Sequence, residues 1–307
     1  MNNIPERQAE VASQADTAEL NLGPDPRDKF YVASPVRARV DLGGVSHVGC
    51  VRMNNEDHFA VVRRSRTREV LLTNVAPDML PATTEEAYAY VVADGLGGEV
   101  CGELASRLAL TTAWEWGGRE RSWPLMTDAS SVDEIQQRMT TLVQIISETM
   151  QDWAARNPTL RGMATTFTAV YSVGRDAFVG HLGDSRAYLI RDRKIGQLTR
   201  DDTMAQFLLD AGARPQNIGR LRHVLTNCLS AGDRPATVTT IRVPLKAGDA
   251  LLLCSDGLTE HVSDAELALT VAAGASAQET CEQLVKQALD RGGRDNVTVI
   301  LARYQFD

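Results

Sequence analysis

The feature that most constrains the fold is a group of closely spaced, strand-like runs between residues 166 and 198. The runs 166–173, 177–182 and 187–191 are short and rich in Val, Ile, Thr, Tyr and Phe, and turn residues separate them. A connection between parallel strands needs about a dozen residues or more, and these gaps are much shorter. The spacing therefore predicts an antiparallel meander.

Similar strand-like runs occur on both sides of this region, at 58–64, 88–93, 237–243, 250–254 and 297–304. A helix is predicted at 102–116, after a group of glycines. In 134–153 and 277–289, apolar residues recur at steps of three and four, which is typical of helices with one buried face. Sheets combined with a few one-faced helices predict an α+β fold.

The organisation of the chain follows from composition. The first 40 residues are polar and contain several prolines, which predicts a flexible arm before a domain at 41–307. Residues 65–87 and 213–236 are predicted to be long surface loops. The N-terminal stretch lacks the features of a signal peptide, and no run reaches the roughly 18–20 apolar residues of a membrane helix. Five scattered cysteines without a CxxC pair favour reduced thiols. Together these features predict a cytoplasmic protein that does not enter a membrane.

Acidic residues stand where the strand-like runs end or begin. The run in "VVADGLGGEV" (91–100) breaks at an Asp-Gly pair, which alone is a common turn. The pattern recurs, however, so that three acids end runs and three precede them: Asp94, Asp184, Asp256, Glu56, Asp57 and Asp295. Antiparallel strands bring such positions to one edge of a sheet. Carboxylates gathered there would repel one another unless a cation lay among them.

Ligand chemistry indicates the class of cation. Oxygen ligands suit Mg2+ and Mn2+, whereas Zn2+ usually recruits His or Cys. The five histidines show no HxH or HExxH spacing and are interpreted as surface or packing residues. Two divalent ions that share an aspartate can activate a water for phosphoryl transfer. Arg52, four residues before Glu56, is a candidate to hold the phosphate, because a guanidinium fork matches two phosphate oxygens.

Six stretches together resemble the metal-dependent serine/threonine protein phosphatases of the PPM, or protein phosphatase 2C, type, in their bacterial form. They occur in the family's order between about residues 46 and 303: "SHVGCVRMNNED", "VVADGLGGEVCGELAS", "MATTFTAVYSV", "HLGDSRAYLIRDRKIGQLTRDD", "LLLCSDGLTEHVSD" and "GGRDNVTVILAR". The resemblance implies a four-layer α-β-β-α sandwich of two antiparallel sheets flanked by helices. It also implies that a metal-activated water hydrolyses phosphoserine and phosphothreonine, at a centre with two Mn2+ or Mg2+ ions.

The resemblance implies a role for each acid that would bind these two ions. Asp94 would bridge them. Asp256 and Asp295 would ligate one ion. Glu56 and the carbonyl of Gly95 would serve the other, partly through water.

Further roles and partners follow from the same resemblance. Arg52 would hold the phosphate and Asp57 would support the site. Asp184 would combine with Asp256 to suit a third, weaker metal. Segment 203–235 would form a variable flap beside the site. The expected partners are phosphorylated proteins, targets of a serine/threonine kinase.

Three positions depart from the family pattern. Leu96 stands where some members carry a histidine proposed as general acid, so the leaving oxygen must take its proton from water or elsewhere. Asp202 stands where an Asp-His-Ser pattern is usual, and Ala164 stands where Gly commonly precedes two threonines. None of these departures removes a predicted metal ligand.

Other function classes agree less well with these residues. Cys101 and Arg107 have the Cys-x5-Arg spacing of cysteine-dependent phosphatases, but Glu103 would lie inside the phosphate loop and repel the substrate. A catalytically weak, phosphatase-like module for protein binding is the alternative, and it predicts the loss of at least one metal ligand. A nuclease is disfavoured because the net charge is −8 and no basic stripe is present, so no nucleic acid partner is expected.

Overall fold

The computed structural model describes residues 38–75, 83–119, 132–214, 218–232 and 234–306. Within these residues the strands are β1 (Ala38–His47), β2 (Asp57–Arg68), β3 (Thr83–Leu96), β4 (Ala164–Thr165), β5 (Phe167–Val173), β6 (Asp176–Leu182), β7 (Arg186–Arg191), β8 (Lys194–Gln197), β9 (Leu229–Ser230), β10 (Thr239–Pro244), β11 (Ala250–Cys254) and β12 (Val297–Phe306). The helices are α1 (Glu99–Arg119), α2 (Val132–Arg156), α3 (Met204–Asp210), α4 (Asp256–Thr259), α5 (Asp264–Ala273) and α6 (Ala277–Asp290). Short 3-10 turns lie at Pro158–Leu160 and Gly219–Leu221.

The strands form two sheets in which neighbouring strands are antiparallel. The first sheet has the order β1-β12-β11-β7-β8. The second has the order β10-β6-β5-β3-β4-β9, and β2 also pairs with β3. Both sheets therefore contain strands from distant parts of the chain.

The core consists of three apolar layers between four structural layers. Leu252 packs in the cluster that includes α5 and α6, whereas Leu251 and Leu253 pack in the cluster between the sheets. This alternation follows from the two-residue period of a strand. Both faces of β11 are covered, which explains why its run is wholly apolar. Helices α1 and α2 cover the second sheet, and the predicted α-β-β-α sandwich is confirmed.

Two details of the predicted fold are wrong. Strands β6 and β7 do not pair in a meander, because β6 pairs with β5 and β10 in one sheet and β7 pairs with β8 and β11 in the other. The predicted loop at 65–87 is too long, since β2 continues to Arg68 and β3 begins at Thr83. The end of β2 is exposed and rich in arginine. Charged side chains are common on edge strands, and here they hid the strand pattern.

Other predicted segments are described only in part. Of the predicted arm, only residues 38–40 lie within the described ranges, and they begin β1, which pairs with β12. The predicted loop at 213–236 contains the turn Gly219–Leu221 and strand β9. None of the helices in the described part of the chain is long and apolar enough to cross a bilayer.

Candidate metal centre

Asp94 lies near the end of β3, directly opposite Asp57, the first residue of β2. Directly opposed side chains of an antiparallel pair lie on the same face, with Cβ atoms about 4.5–5.5 Å apart. Thr166 fixes the main chain of Asp94: its Oγ1 accepts from the Asp94 N–H, and its N–H donates to the Asp94 carbonyl, both at 2.9 Å. The β2–β3 register therefore brings together two predicted site residues from separate motifs.

Glu56 and Gly95 lie where β3 meets the start of α1. The Gly95 N–H donates to the Glu56 carbonyl at 3.2 Å. A Cβ atom on Gly95 would lie 2.2 Å from the Gly102 carbonyl oxygen, and one on Gly102 would lie 2.0 Å from Glu56 Oε2. Both distances are far inside van der Waals contact. Glycine at 95 and 102 therefore allows the Glu56 carboxylate to lie against the helix start.

Asp184 lies in the short link between β6 and β7, where the chain passes from one sheet to the other. The preceding Gly183 has a φ of +107°, a conformation that favours glycine. Asp202 accepts from the Gly183 N–H at 3.2 Å and donates its own N–H to the Gly183 carbonyl at 2.7 Å. The Asp202 carboxylate also accepts from Asn227 Nδ2 at 2.7 Å. Asp202, which departs from the family pattern, therefore holds the link that contains Asp184 in place through these hydrogen bonds.

Asp256 begins α4, two residues after the end of β11. The preceding Ser255 donates its hydroxyl hydrogen to Asp57 Oδ2 at 2.7 Å, and its Oγ accepts from the Thr298 N–H at 3.0 Å. Ser255 therefore joins the end of β11 to the starts of β2 and β12. This connection places Asp256 at the same edge as Asp57.

Arg52 lies beside acids from three motifs. Its Nη2 donates to Asp295 Oδ2 at 2.6 Å, while 56% of the side chain stays exposed. The pKa of the guanidinium is raised, first by this hydrogen bond and then by the charges of Asp295, Glu56 and Asp94. An exposed, fully charged fork thus stands next to the carboxylates.

Asn296 is a positioning residue that the sequence interpretation missed. Its Nδ2 donates to the carbonyls of Val48 and Asn54, each at 2.9 Å, and its Oδ1 accepts from the Glu56 N–H at 2.8 Å. Its N–H donates to Asp295 Oδ1 at 2.8 Å. Asn296 therefore holds the loop of Arg52 and Glu56 against the start of β12. The sequence feature that could have indicated this role is an asparagine directly after an acidic residue at the start of a strand.

The acids lie close enough to change one another's ionisation. The pKa of Asp94 is raised well above its ordinary value, first by burial and then by the charges of four acids: Asp57, Asp256, Asp184 and Asp295. Burial also raises the pKa of Asp57 to about 7 and that of Asp184 to about 8, and the charge of Asp256 adds to both. Carboxylates arranged in this way need protons or cations as counter charge.

The donor set fits hard divalent cations. The predicted ligands offer carboxylate oxygens and one backbone carbonyl, which are the ligands that Mg2+ and Mn2+ prefer. Divalent ions would also add positive charge among these carboxylates. The residues therefore fit a two-ion centre, and the ligand role assigned to each of them stays a prediction.

His223 contributes a contact that the sequence interpretation missed. Its Nδ1 lies 3.7 Å from Asp256 Oδ2 and 3.4 Å from Glu260 Oε1. The neighbouring carboxylates of Asp256 and Glu260 outweigh partial burial and raise the pKa of His223 to about 8. The histidine is far from both acids in the sequence, so no local spacing could have predicted the group.

The positions of Cys101 and Arg107 argue against the cysteine-based alternative. Cys101 and Arg107 both lie within α1, so the residues between them form a helix and not an open phosphate loop. The Cys101 thiol donates to the Thr159 carbonyl at 3.6 Å. The spacing of these two residues is therefore coincidental.

The sequence profile described as protein phosphatase 2C matches residues 78–292 of the chain. The matched range contains the predicted site residues Asp94, Gly95, Asp184 and Asp256. It leaves out four others: Arg52, Glu56, Asp57 and Asp295. For these four, the support comes from the geometry described above.

The chain is similar to several bacterial phosphatases. It is 33% identical over 219 residues to the serine/threonine protein phosphatase PstP of Mycobacterium tuberculosis, covering 69% of this chain and 39% of that protein. It is 32% identical over 277 residues to the protein phosphatase PhpP of Streptococcus pneumoniae, covering 85% of this chain and 96% of that protein. The crystal structure of the PstP catalytic domain in complex with two manganese ions has a TM-score of 0.68 and 28% identity, over 88% of this chain and 100% of that chain. Profile, relatives and fold agree, and the chain belongs to the protein phosphatase 2C family.

Proposed function

We propose that this protein is a metal-dependent phosphatase that hydrolyses phosphoserine and phosphothreonine in other proteins. The observation that carries the proposal is the convergence of acids from separate motifs at one edge of the two sheets, with Arg52 beside them. Membership of the protein phosphatase 2C family supports the same reaction, and the relatives PstP and PhpP are named as phosphatases. The proposed partners are phosphorylated proteins produced by a serine/threonine kinase.

Oxygen atoms of the chain are proposed to hold two Mn2+ or Mg2+ ions. Asp94, at the centre of the carboxylates, is proposed to bind both ions. Asp256 and Asp295 would bind one ion, and Glu56 with the Gly95 carbonyl would bind the other. When bound, such ions lower the pKa of a water molecule and polarise the phosphate oxygens.

Asp57 and Asp184 have different proposed roles. Asp57 accepts a hydrogen bond from Ser255 and lies opposite Asp94. It is therefore proposed to support the metal ligands from the buried side of the centre. Asp184, in the link between the sheets, is proposed to offer a third and weaker cation position together with Asp256.

Arg52 is proposed to orient the phosphate. The guanidinium is planar and presents several N–H groups in a fixed fork that matches two phosphate oxygens. Asp295 holds one of its nitrogens, which restricts the side chain before substrate arrives. A restricted side chain loses less conformational entropy on binding, so the ion pair favours recognition.

Leu96 bears on the final proton transfer. Its side chain is apolar, and the main chain at this position pairs with Ala164 of β4. The leaving oxygen of serine or threonine is therefore proposed to take its proton from water.

The test is hydrolysis of p-nitrophenyl phosphate and of phosphoserine and phosphothreonine peptides, with Mn2+ and with excess chelator. Asp94→Asn is expected to lower activity by at least about a hundredfold, since loss of even an outer-shell partner of a metal costs about 10–100-fold. Asp290→Asn is the matched control, because Asp290 is an exposed acid at the end of α6. Cys101→Ser is expected to keep full activity.

Two outcomes would contradict the proposal. Activity that survives chelation and is lost in Cys101→Ser would show a thiol mechanism. A folded protein without activity in any divalent metal would favour the alternative, a phosphatase-like module for protein binding.

A further inference from the structure

An apolar cavity lies between the second sheet and helices α1 and α2. Its volume is about 540 Å3, and it contains none of the predicted metal ligands. The helix residues that line it include Leu110, Ala113, Leu142 and Val143. Packed protein interiors contain few voids larger than a water molecule, whereas ligand pockets typically measure about 300–1,000 Å3. The cavity therefore has the size of a site for a small molecule.

The floor of the cavity is a row of mostly small side chains that crosses four strands. Ala60 lies opposite Val91, Val91 lies opposite Ala169, and Ala169 lies opposite Gly180. Directly opposed residues of antiparallel strands share a face, so the row runs straight across β2, β3, β5 and β6. A Cβ atom on Gly180 would lie 2.9 Å from Met139 Sδ, so α2 fills the space above the β6 end of the row. The small side chains on the other strands leave the space above them open.

The cavity also has a polar end. The charged residues of its lining are two arginines and one glutamate, namely Arg63, Arg64 and Glu115. Arg64 lies two residues after Val62 on β2, so its side chain lies on the same face as the floor. The charge of Arg64 opposes the rise in pKa that burial causes at Tyr171, which places the guanidinium near this phenol. Arg64 and Tyr171 therefore form a polar end of a cavity whose walls are mostly apolar.

Arg64 is available to bind an anion. No carboxylate in the described part of the chain forms an ion pair with it. Arg66, on the same strand, pairs with Glu85. Arg138, near the same phenol, pairs with Glu134. A guanidinium fork matches the two oxygens of a carboxylate, so Arg64 is suited to an acid whose attached chain is apolar.

The size of the cavity limits the class of occupant. An α-helix with its side chains is about 10 Å across, so this volume would hold only about one turn of a partner helix. A single alkyl chain is much thinner, and each buried CH2 group adds to its affinity. Trp114 in the lining is 68% exposed, so the cavity can be reached from solvent. Size, apolar walls and a cationic end together favour an amphipathic anion.

We propose that this cavity binds one long-chain fatty acid, with its acyl chain above Ala60, Val91 and Ala169 and its carboxylate at Arg64. The site shares no residue with the candidate metal centre, and the proposal does not rest on the phosphatase reaction. Binding is therefore measured without substrate, and its failure would leave the proposed function unaffected.

The first experiment is calorimetry of the full chain with tetradecanoate, below the concentration at which this acid forms micelles. One molecule is expected to bind per protein. From decanoate to tetradecanoate, the affinity is expected to rise about fourfold for each added methylene, as burial of a CH2 group predicts. Tetradecyltrimethylammonium has the same chain with a cationic head, and it is expected to bind at least about tenfold more weakly than the acid.

The second experiment removes the cationic end. Arg64→Gln is expected to weaken tetradecanoate binding by about tenfold or more, because hydrogen bonds between charged groups are lost. Arg68→Gln is the matched control, since Arg68 is exposed on the same strand and does not line the cavity. It is expected to keep the wild-type affinity.

The third experiment fills the floor. Ala169→Leu places a larger apolar side chain at the middle of the row and is expected to weaken tetradecanoate binding by at least about tenfold. Ala155→Leu is the control, because Ala155 is exposed on α2 and lies outside the cavity. Thermal unfolding checks that both variants fold.

Three results would overturn the site. They are the absence of tetradecanoate binding below the micelle concentration, equal affinity in the wild type and Arg64→Gln, and equal affinity for the acid and the alkylammonium. If Ala169→Leu does not fold, the Arg64→Gln measurement decides, because that change affects a partly exposed side chain.

Discussion

Asp57 is a buried carboxylate, 4% exposed, and its charged neighbours include other acids. It lies opposite Asp94 in the β2–β3 pair and accepts a hydrogen bond from Ser255. Burial, with the charges of Asp256 and Asp295, raises its pKa to about 7. Without divalent ions, a proton is therefore the counter charge of this group up to near-neutral pH.

The metal-free protein is expected to lose stability as the pH rises from about 4 to about 8. The folded-state pKa values of Asp57, about 7, and Asp184, about 8, lie above their ordinary value of 3.8. In this range the folded state holds protons that the unfolded chain has released. Each such proton lowers the free energy of unfolding by up to about 1.4 kcal/mol per pH unit. Thermal unfolding in chelator across this range measures the slope.

Two variants and the addition of Mn2+ test whether protons on buried carboxylates cause the loss of stability with rising pH. Asp57→Asn is expected to flatten it, because an amide has no titrating proton. Asp290→Asn makes the same change at an exposed position and is expected to keep the wild-type slope. Added Mn2+ is expected to reduce the slope, since cations then replace protons. An unchanged slope in Asp57→Asn would show that this carboxyl does not bind a proton in the folded state.

Arg52→Ala is expected to lower kcat/KM for a phosphorylated peptide by about 10- to 100-fold, because hydrogen bonds to charged groups contribute about 1.5–3 kcal/mol. Arg52→Lys should restore only part of the loss, since an ammonium lacks the fork. Arg66→Ala is the matched control: Arg66 is also 56% exposed and pairs with an acid, Glu85, on β3. Equal losses of kcat/KM in Arg52→Ala and Arg66→Ala would contradict the proposal that Arg52 orients the phosphate.

At the scale of elements, the packing of α1 against β3 depends on the absence of side chains. Gly95 and Gly102 let the strand end, the helix start and Glu56 meet at one point. The helix begins directly after a further pair of glycines with positive φ, Gly97 and Gly98. The glycine-rich motif therefore serves close packing beside Asp94.

Gly102→Ala is expected to weaken Mn2+ binding by about tenfold or more, comparable to the loss of a second-shell partner. Alanine favours a helix over glycine by about 0.5–1 kcal/mol, so any loss reports the close contacts with Glu56 and the Gly95 main chain and not helix propensity. Gly117→Ala is the control, because a Cβ there has no atom within 4 Å. It is expected to leave Mn2+ affinity unchanged and to preserve or raise stability. Calorimetry with Mn2+ and thermal unfolding separate these effects, and unaltered affinity in Gly102→Ala would contradict the assignment.

The link between β6 and β7 explains how Asp184 reaches the centre. In a meander, the link would have been a turn at the end of one sheet. Instead the chain changes sheets there, and Gly183 and Asp202 hold the crossing. The acid consequently lies where the edges of both sheets meet.

At the scale of the whole molecule, two tyrosines join the sheets through an apolar layer. Tyr90 on β3 and Tyr304 on β12 are buried, and their hydroxyl oxygens lie 2.8 Å apart. Tyr90 Oη also lies 3.3 Å from Ser172 Oγ. Burial raises the pKa of both phenols. The pair satisfies two polar groups that would otherwise be costly in this layer.

Tyr304→Phe is expected to lower the free energy of unfolding by about 1 kcal/mol, the typical contribution of a neutral hydrogen bond. Tyr90→Phe is expected to cost a similar amount. The double variant should cost less than the two changes together, because the second change removes a partner that is already unpaired. Urea unfolding with saturating Mn2+ measures all three proteins. Strict additivity would show that the hydroxyls do not interact.

Local patterns predicted most elements and the acids of the centre. The run at 250–254 is apolar because β11 is covered on both faces, and the repeats in 134–153 and 277–289 correspond to α2 and α6. The 2C-type resemblance supplied the arrangement of layers. Strand β1 was missed because it contains a Gly-Gly pair and alternates weakly. Apolar runs, helical repeats and motifs can all be recognised from short stretches of the sequence.

Which residues meet depends instead on sheet register and on how helices pack. Asp57 lies opposite Asp94 because β2 and β3 pair in that register, and Asn296 reaches the Glu56 loop because β12 lies beside β1. His223 approaches Glu260 through contacts of the segment after α3. Such distances are set by the packing of the complete chain, and short-range periodicity carries no information about them. The amino-acid pattern therefore specified the chemical groups, and the folded arrangement specified their neighbours.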